Sequence, residues 1–192
     1  MESAIKALGL ALAYVLIIFI VQMIGFFHPF FWTYAAVFAA VATAVPYFLL
    51  CRRFPIPGIA ILCAVMFIIL SFIIGEGHEY LAAGGIVLAC LAEAMRKIFG
   101  NYRGRAGVVT SYAFLSLLPF TTSCTLWIDY QTAMDLIIGK MGDIYAAVMG
   151  RMLSKYMLIA MICLTVVLAV VMMVILTRDW RPSNRHIQRH VE

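Results

Sequence analysis

The stretch SFIIGEGHEY, residues 71–80, brings Glu76, His78, Glu79 and Tyr80 into a single short turn. An imidazole beside carboxylates can move protons, ligate a metal or hydrogen-bond a small molecule. HEYLA at 78–82 begins as the zinc-protease helix HExxH does, but residue 82 is alanine. The second ligand is missing, and metalloprotease chemistry is excluded. His28, in GFFHPF, is a second histidine set between apolar runs. Trp127, Asp129 and Tyr130 gather aromatic and polar groups behind a third run. His186 and His190 stand four apart in RHIQRH. That spacing can bind metal on a helix, but in an Arg-rich tail it reads as an exposed segment touching lipid or a partner. Cys51, Cys63, Cys90, Cys124 and Cys163 form no CxxC and no zinc spacing, so they read as small packing residues. Neither GxSxG nor GxxxxGK[ST] occurs, so the chain shows no serine nucleophile elbow and no nucleotide site.

The elements that must position these residues are set by composition. The 192 residues are 65% hydrophobic and 12% charged, with mean hydropathy +1.03. A soluble domain is about half apolar and about a quarter charged. This much apolar surface cannot fit one small core, and its solvent must be lipid. A membrane-crossing helix takes about 20 apolar residues. By that ruler six runs qualify: 4–24, 30–50, 56–74, 79–99, 107–128 and 155–177. They are continuous and do not alternate with period two, so the expected class is all-α, a bundle of six transmembrane helices. Residues 1–177 form the bundle domain and 178–192 a basic tail. The first run is too long for a cleavable signal and is expected to remain as helix 1.

Charge sets the expected orientation. With the N-terminus in the cytoplasm, the inner segments hold Lys6, Arg52, Arg53, Arg96, Lys97, Arg103, Arg105, Arg178, Arg181, Arg185 and Arg189. The outer ones hold only Lys140, Arg151 and Lys155, with Glu76, Glu79, Asp129, Asp135 and Asp143. The positive-inside rule then puts both termini in the cytoplasm. The pI near 9.1 follows from that topology and from contact with anionic lipid, and is no sign of nucleic-acid binding. His28, His78 and the long segment 128–154 fall on the outer side. In 128–154, Met134, Ile137, Ile138 and Met141 recur at helical spacing, and Ile144, Tyr145, Val148, Met149 and Met152 do so again. One or two short amphipathic helices are expected, either over the bundle mouth or flat on lipid headgroups.

Within the runs, Ser3, Ala7 and Ala11 form a small-residue stripe, with Gly9 and Ala13 beside it. Such a stripe serves close packing inside the bundle or against a partner helix. Glu93 is the one acid inside a run, with Arg96 and Lys97 at i+3 and i+4 for local pairing. Neither a midplane acid nor a broken helix is read from the sequence, which weighs against an ion-coupled transporter.

MIGFFHPFFW, GEGHEYLAAGGIVLACLAEAMRKIFGNY and SYAFLSLLPFTTSCTLWIDYQTAM resemble the Trep_Strep-type (MptD-like) group of substrate-binding S components of energy-coupling factor (ECF) transporters. The matching positions are Gly77-His78, Glu93, the Arg96–Arg105 loop, and Trp127 with Asp129. The resemblance spans nearly the whole chain. It implies a subunit that captures a vitamin, cofactor or other micronutrient outside the cell of a prokaryote. The cargo then passes inward after docking on a transmembrane T subunit with two ATPases. No activity of its own as an enzyme is expected, and no intrinsic cofactor. Ser3, Ala7 and Ala11 lie where the family carries its AxxxA docking motif, with serine at the first position. His28, His78, Glu79, Tyr80, Trp127, Asp129 and Tyr130 become the candidate substrate-binding residues, with Met134, Met141 and Met149 as a lid. Histidine, methionine and aromatics together suit haem as cargo, with His78 as an axial ligand. The competing readings are a stand-alone secondary transporter or channel, and a membrane-embedded enzyme acting on lipid.

Overall fold

The computed structural model describes residues 2–180, without the side chains of Glu2 and Ser3. The tail from residue 181, with His186 and His190, lies outside the described residues. Among the described residues every regular element is a helix. Helix α1, Glu2–Ile24, leads through a 3-10 turn, Gly25–Phe27, into α2, Pro29–Thr33. There follow α3, Ala35–Ala42, and α4, Ala44–Arg53, then α5, Ile59–Ile73, and α6, Glu79–Ile98. Next come α7, Arg105–Leu115, α8, Phe120–Ser123, and α9, Thr125–Ile128. Helices α10, Tyr130–Met141, and α11, Asp143–Met152, precede the last, α12, Lys155–Leu176.

Among the described residues two helical stretches, Ala4–Phe27 and Lys155–Leu176, are long and apolar enough to cross a membrane. Neither contains proline. A third crossing arises if α3 and α4 count as one, for they pass the same test together while bent by 41°. The bend corrects the expected straight run 30–50, and its causes are local. Pro46 has no N–H to give the preceding turn. Thr43 Oγ1 turns back to donate to the Ala39 carbonyl at 2.7 Å, a habit that bends helices. Helix α5 has 15 residues, about 22 Å at 1.5 Å per residue, less than the hydrocarbon thickness of about 30 Å.

The expected run 107–128 is also broken. Helix α7 stops at Leu115, and Leu117 and Leu118 bond to carbonyls three residues back. Pro119 follows, and α8 and α9 are single turns. The hydroxyls of Ser116, Thr121, Thr122 and Ser123 all donate to carbonyls three residues back. So rich a set of competing donors, with proline, favours tight irregular turns over a continuous helix. A broken helix, absent from the sequence reading, is therefore present.

The main core gathers α1, α3 to α7 and α12 around Tyr14, Ile18, Tyr47, Leu50, Phe67 and Tyr112. Its hydroxyls are satisfied internally, as buried polar groups must be. Tyr14 donates to the Leu115 carbonyl at 3.2 Å and Tyr112 to the Ala40 carbonyl at 2.5 Å. The Tyr47 hydroxyl meets Ser111 Oγ at 2.5 Å. Ala11 is fully buried here and Ala7 packs against the same cluster. Of the small-residue stripe, Ala11 therefore faces the chain's own core and Ala7 lies at its edge. Ala11 is no docking surface in this conformation, because α1 needs its small side chain to approach its neighbours.

Arg96, expected on a water-facing basic segment, is fully buried. Its Nη1 lies 3.4 Å from Glu93 Oε1 and donates to the Ile56 carbonyl at 3.2 Å. The same Glu93 oxygen accepts the Ala60 N–H at 2.7 Å, which closes the first turn of α5. The Tyr102 ring lies over the guanidinium, 5.4 Å away, and Asn101 and Tyr102 take left-handed backbone angles to put it there. Helix α12 is tied to this end by Arg105, which donates to the Val174 carbonyl at 3.1 Å, and by Trp180, which donates to the Arg103 carbonyl at 2.8 Å.

Candidate functional site

At the opposite end, the α5–α6 turn, the broken segment 116–128 and helices α10 and α11 enclose space. The turn is shaped by its glycines. Gly75 has φ +80°, which costs glycine little. A Cβ on Gly77 would come within 2.7 Å of the Phe72 Cα, so no other residue fits without displacing backbone. The chain then enters α6 at His78, whose extended backbone and side chain make it the N-cap.

His78 has both ring nitrogens engaged. Nδ1 accepts the Leu81 N–H at 3.1 Å, and Nε2 faces the Thr122 carbonyl at 3.3 Å. An amide can only donate and a carbonyl can only accept, so in this arrangement Nδ1 is the acceptor and Nε2–H the donor. An axial bond to haem iron would have to replace one of these hydrogen bonds. His28 caps α2 in the same way, accepting the Phe30 N–H at 3.2 Å, and is exposed. The two histidines share a structural role and do not line one cavity. Among the described residues no three His, Cys, Asp or Glu side chains converge as a metal site.

Two further side chains hold the broken segment in place. Gln22 Nε2 donates to Thr122 Oγ1 at 2.8 Å and to the Pro119 carbonyl at 3.4 Å. Tyr14, two turns earlier on α1, takes the Leu115 carbonyl. Gly84 and Gly85 let α6 approach: a Cβ on either would meet Thr121 Cγ2 or Ile68 Cδ1 at 3.1 Å. Polar backbone freed by the break is thus bonded inside the protein or turned to a cavity, as membrane segments require.

The larger cavity, about 540 Å³, is walled by the α5–α6 turn, segment 122–129 and one face of α10. His78, Glu79, Tyr80 and Asp129 line it together, as the sequence led us to expect. A second cavity of about 310 Å³ lies between the end of α1, α3 and Pro119, and is mainly apolar. The other candidates are elsewhere. Trp127 is half-buried against Phe120, its Nε1–H buried without a partner. Tyr130 lies on a shallow hollow between α10 and α11, with Met134. The lid methionines do not line the large cavity. Met134 and Met149 are buried in a second small core with Leu126, Ala133, Ile137 and Ala146, and Met141 packs against it. That core fastens α10 and α11 onto Trp32 of α2; of the two placements open for the amphipathic helices, the structure has them over the bundle end.

Residues the sequence reading passed over complete the site. Glu76, named in the turn with no partner assigned, pairs with Lys140 of α10 at 2.8 Å. Tyr145 of α11 donates to the Gly25 carbonyl at 2.5 Å. Burial raises the Tyr145 phenol to about 12. Trp32, Thr122 and Ser123 line both cavities. The TTS run at 121–123 and Pro119 were the available signal for the break. The pairing of Glu76 with Lys140, 64 residues apart, had none.

Comparison with curated proteins and with solved structures yields no match. Residues 4–178 match the model of the Trep_Strep family, described as hypothetical bacterial integral membrane protein, and the chain belongs to that family.

Proposed function

We propose that this protein is the membrane-embedded substrate-capture subunit of an ECF-type importer for a small micronutrient. In this reading the six helical runs each cross the plasma membrane and both termini are cytoplasmic. The cavity end then faces outward. The T subunit and two ATPases supply energy, in keeping with a chain that carries no nucleotide motif. The observation that carries the proposal is the roofed cavity of about 540 Å³. It has the size of a small-molecule site, with a few polar groups on a rigid frame. Its roof is held by two separable tethers, Glu76–Lys140 and Tyr145–Gly25, which suits capture and later release.

One observation favours a second reading, a stand-alone secondary transporter. The broken helix at 116–119 reaches the smaller cavity through Pro119, and substrate sites in such transporters lie at broken helices. Co-expression of the tagged chain with its neighbouring genes decides between them. Recovery of a T subunit and ATPases, with uptake that needs ATP, supports the importer. Uptake by the chain alone in proteoliposomes, driven by an ion gradient, overturns it. Because Ala11 is buried, Ala7→Leu is the informative change on the α1 stripe: it should weaken assembly if the half-buried Ala7 edge meets the T subunit.

A further inference from the structure

The two cavities share four lining residues, Trp32, Glu76, Thr122 and Ser123. The spaces therefore adjoin along these residues. They differ in character. The smaller is bounded by Phe19, Phe26 and Pro119, and the apolar residues at its edge, Met23 and Ile74, are exposed on the flank of the bundle. A flank of this kind faces acyl chains when the helices stand in a bilayer. The larger is bounded by Glu76, His78, Glu79, Asp129 and Lys140 together with Leu126, Leu136 and Ile137.

The charges of the larger cavity are unequal. Glu76, Glu79 and Asp129 line it, against the single ammonium of Lys140. Lys140 is matched with Glu76 at 2.8 Å, which leaves two carboxylates without a cation among the lining residues. His78 engages both ring nitrogens within the protein, Nδ1 with the Leu81 N–H and Nε2 with the Thr122 carbonyl. The indole of Trp32 and the phenol of Tyr80 also border the space, and aromatic faces attract ammonium groups. A ligand carboxylate would add a third negative charge beside the exposed carboxylates of Glu79 and Asp129, which repel it.

We infer that the joined cavities take an amphiphilic organic cation, with a flat aromatic or alkyl body against Phe19, Phe26 and Pro119 and an ammonium group beyond Trp32 facing Glu79 and Asp129. The inference rests on the capture reading of this site and names its substrate class. A dianionic tetrapyrrole such as haem is disfavoured by the same charges.

The test uses the full chain in lipid nanodiscs and three probes with one body: naphthylethylamine, naphthylethanol and naphthylacetate. Binding is read by tryptophan fluorescence and by thermal shift, with empty nanodiscs and the Trp32→Ala variant as controls for partition into lipid. The amine should bind at least about tenfold more tightly than the acid, with the alcohol between. The Glu79→Gln, Asp129→Asn double variant should remove that preference while keeping the thermal midpoint of the ligand-free protein. Equal or tighter binding of the acid, no binding of any probe, or a preference that survives the double variant would each overturn the inference. Recovery of ATPase subunits with the same preparation reports on the importer reading alone, so the two can fail separately.

Discussion

The Lys140 ammonium lies 2.8 Å from the Glu76 carboxylate, joining α10 to the α5–α6 turn across the mouth of the large cavity. Both side chains are about half exposed, at 46% and 38%. A pair so exposed contributes about 0–1 kcal/mol to stability, so its consequence is local. Glu76→Gln should leave the thermal midpoint almost unchanged and raise amide exchange in 130–141 several-fold. The charge-reversed pair Glu76→Lys with Lys140→Glu should restore protection. High salt should mimic the single change.

The second tether is a neutral hydrogen bond. Tyr145→Phe removes one donor to the Gly25 carbonyl and should cost about 0.5–1.5 kcal/mol. The sign of its pH dependence follows from burial. The folded state holds the phenol neutral with its pKa raised to about 12, against about 10 in the unfolded chain. The contribution is complete below about pH 10 and is lost as pH rises through the folded value. Between pH 6 and 9, on the order of normal conditions, the tether should not respond to pH. Alkaline titration of stability above that range should be shallower in Tyr145→Phe, and identical curves would show that the tether does not form.

His78 couples the cap of α6 to the broken segment. His78→Ala loses the N-cap and the bond to the Thr122 carbonyl, a combined cost of about 1–2 kcal/mol. His78→Asn retains a capping acceptor and should recover the α6 share only. Ligand affinity, measured with the naphthylethylamine probe, should fall less in His78→Asn than in His78→Ala. Equal loss in both would mean that the imidazole touches ligand directly.

At the other end of the bundle, Glu93 and Arg96 answer one another out of water. Arg96→Met leaves the Glu93 carboxylate buried without its cation and should cost about 3–5 kcal/mol. The double change Glu93→Gln, Arg96→Met should be milder than the single one, since no buried charge then remains. Denaturation in mild detergent measures both. A double variant worse than Arg96→Met would show that the charge pair itself organises this end.

Gly84 and Gly85 test the approach of α6 to the broken segment. Gly85→Val would push against Ile68 and Leu118 and should cost about 1–3 kcal/mol through overpacking. Gly9, whose Cβ position is open, should accept alanine with little change or a small gain in stability.

The sequence by itself determined that this is a helical membrane protein and where most of its helices run, because apolar run length and charge are properties of each segment alone. It marked the turn at 75–79 through two glycines, and it grouped His78, Glu79, Tyr80 and Asp129, which the structure sets around one cavity. Only the tertiary structure decided what each residue does there. His28 and His78 both serve as helix caps, because an extended residue before a helix offers its side chain to the first free N–H groups. Ala11 of the small-residue stripe turned inward and Ala7 stayed half-buried at the core's edge, because a small-residue face is equally good against any neighbour and the nearest one took part of it. The break at 116–119 and the bend at Thr43 came from proline and hydroxyl side chains competing with the helix, a contest settled by the partners that Tyr14, Gln22, His78 and Tyr112 bring from elsewhere. The tether between Glu76 and Lys140 could not be read at all, since 64 residues separate them and only the packing of α10 over the bundle end brings the two charges together.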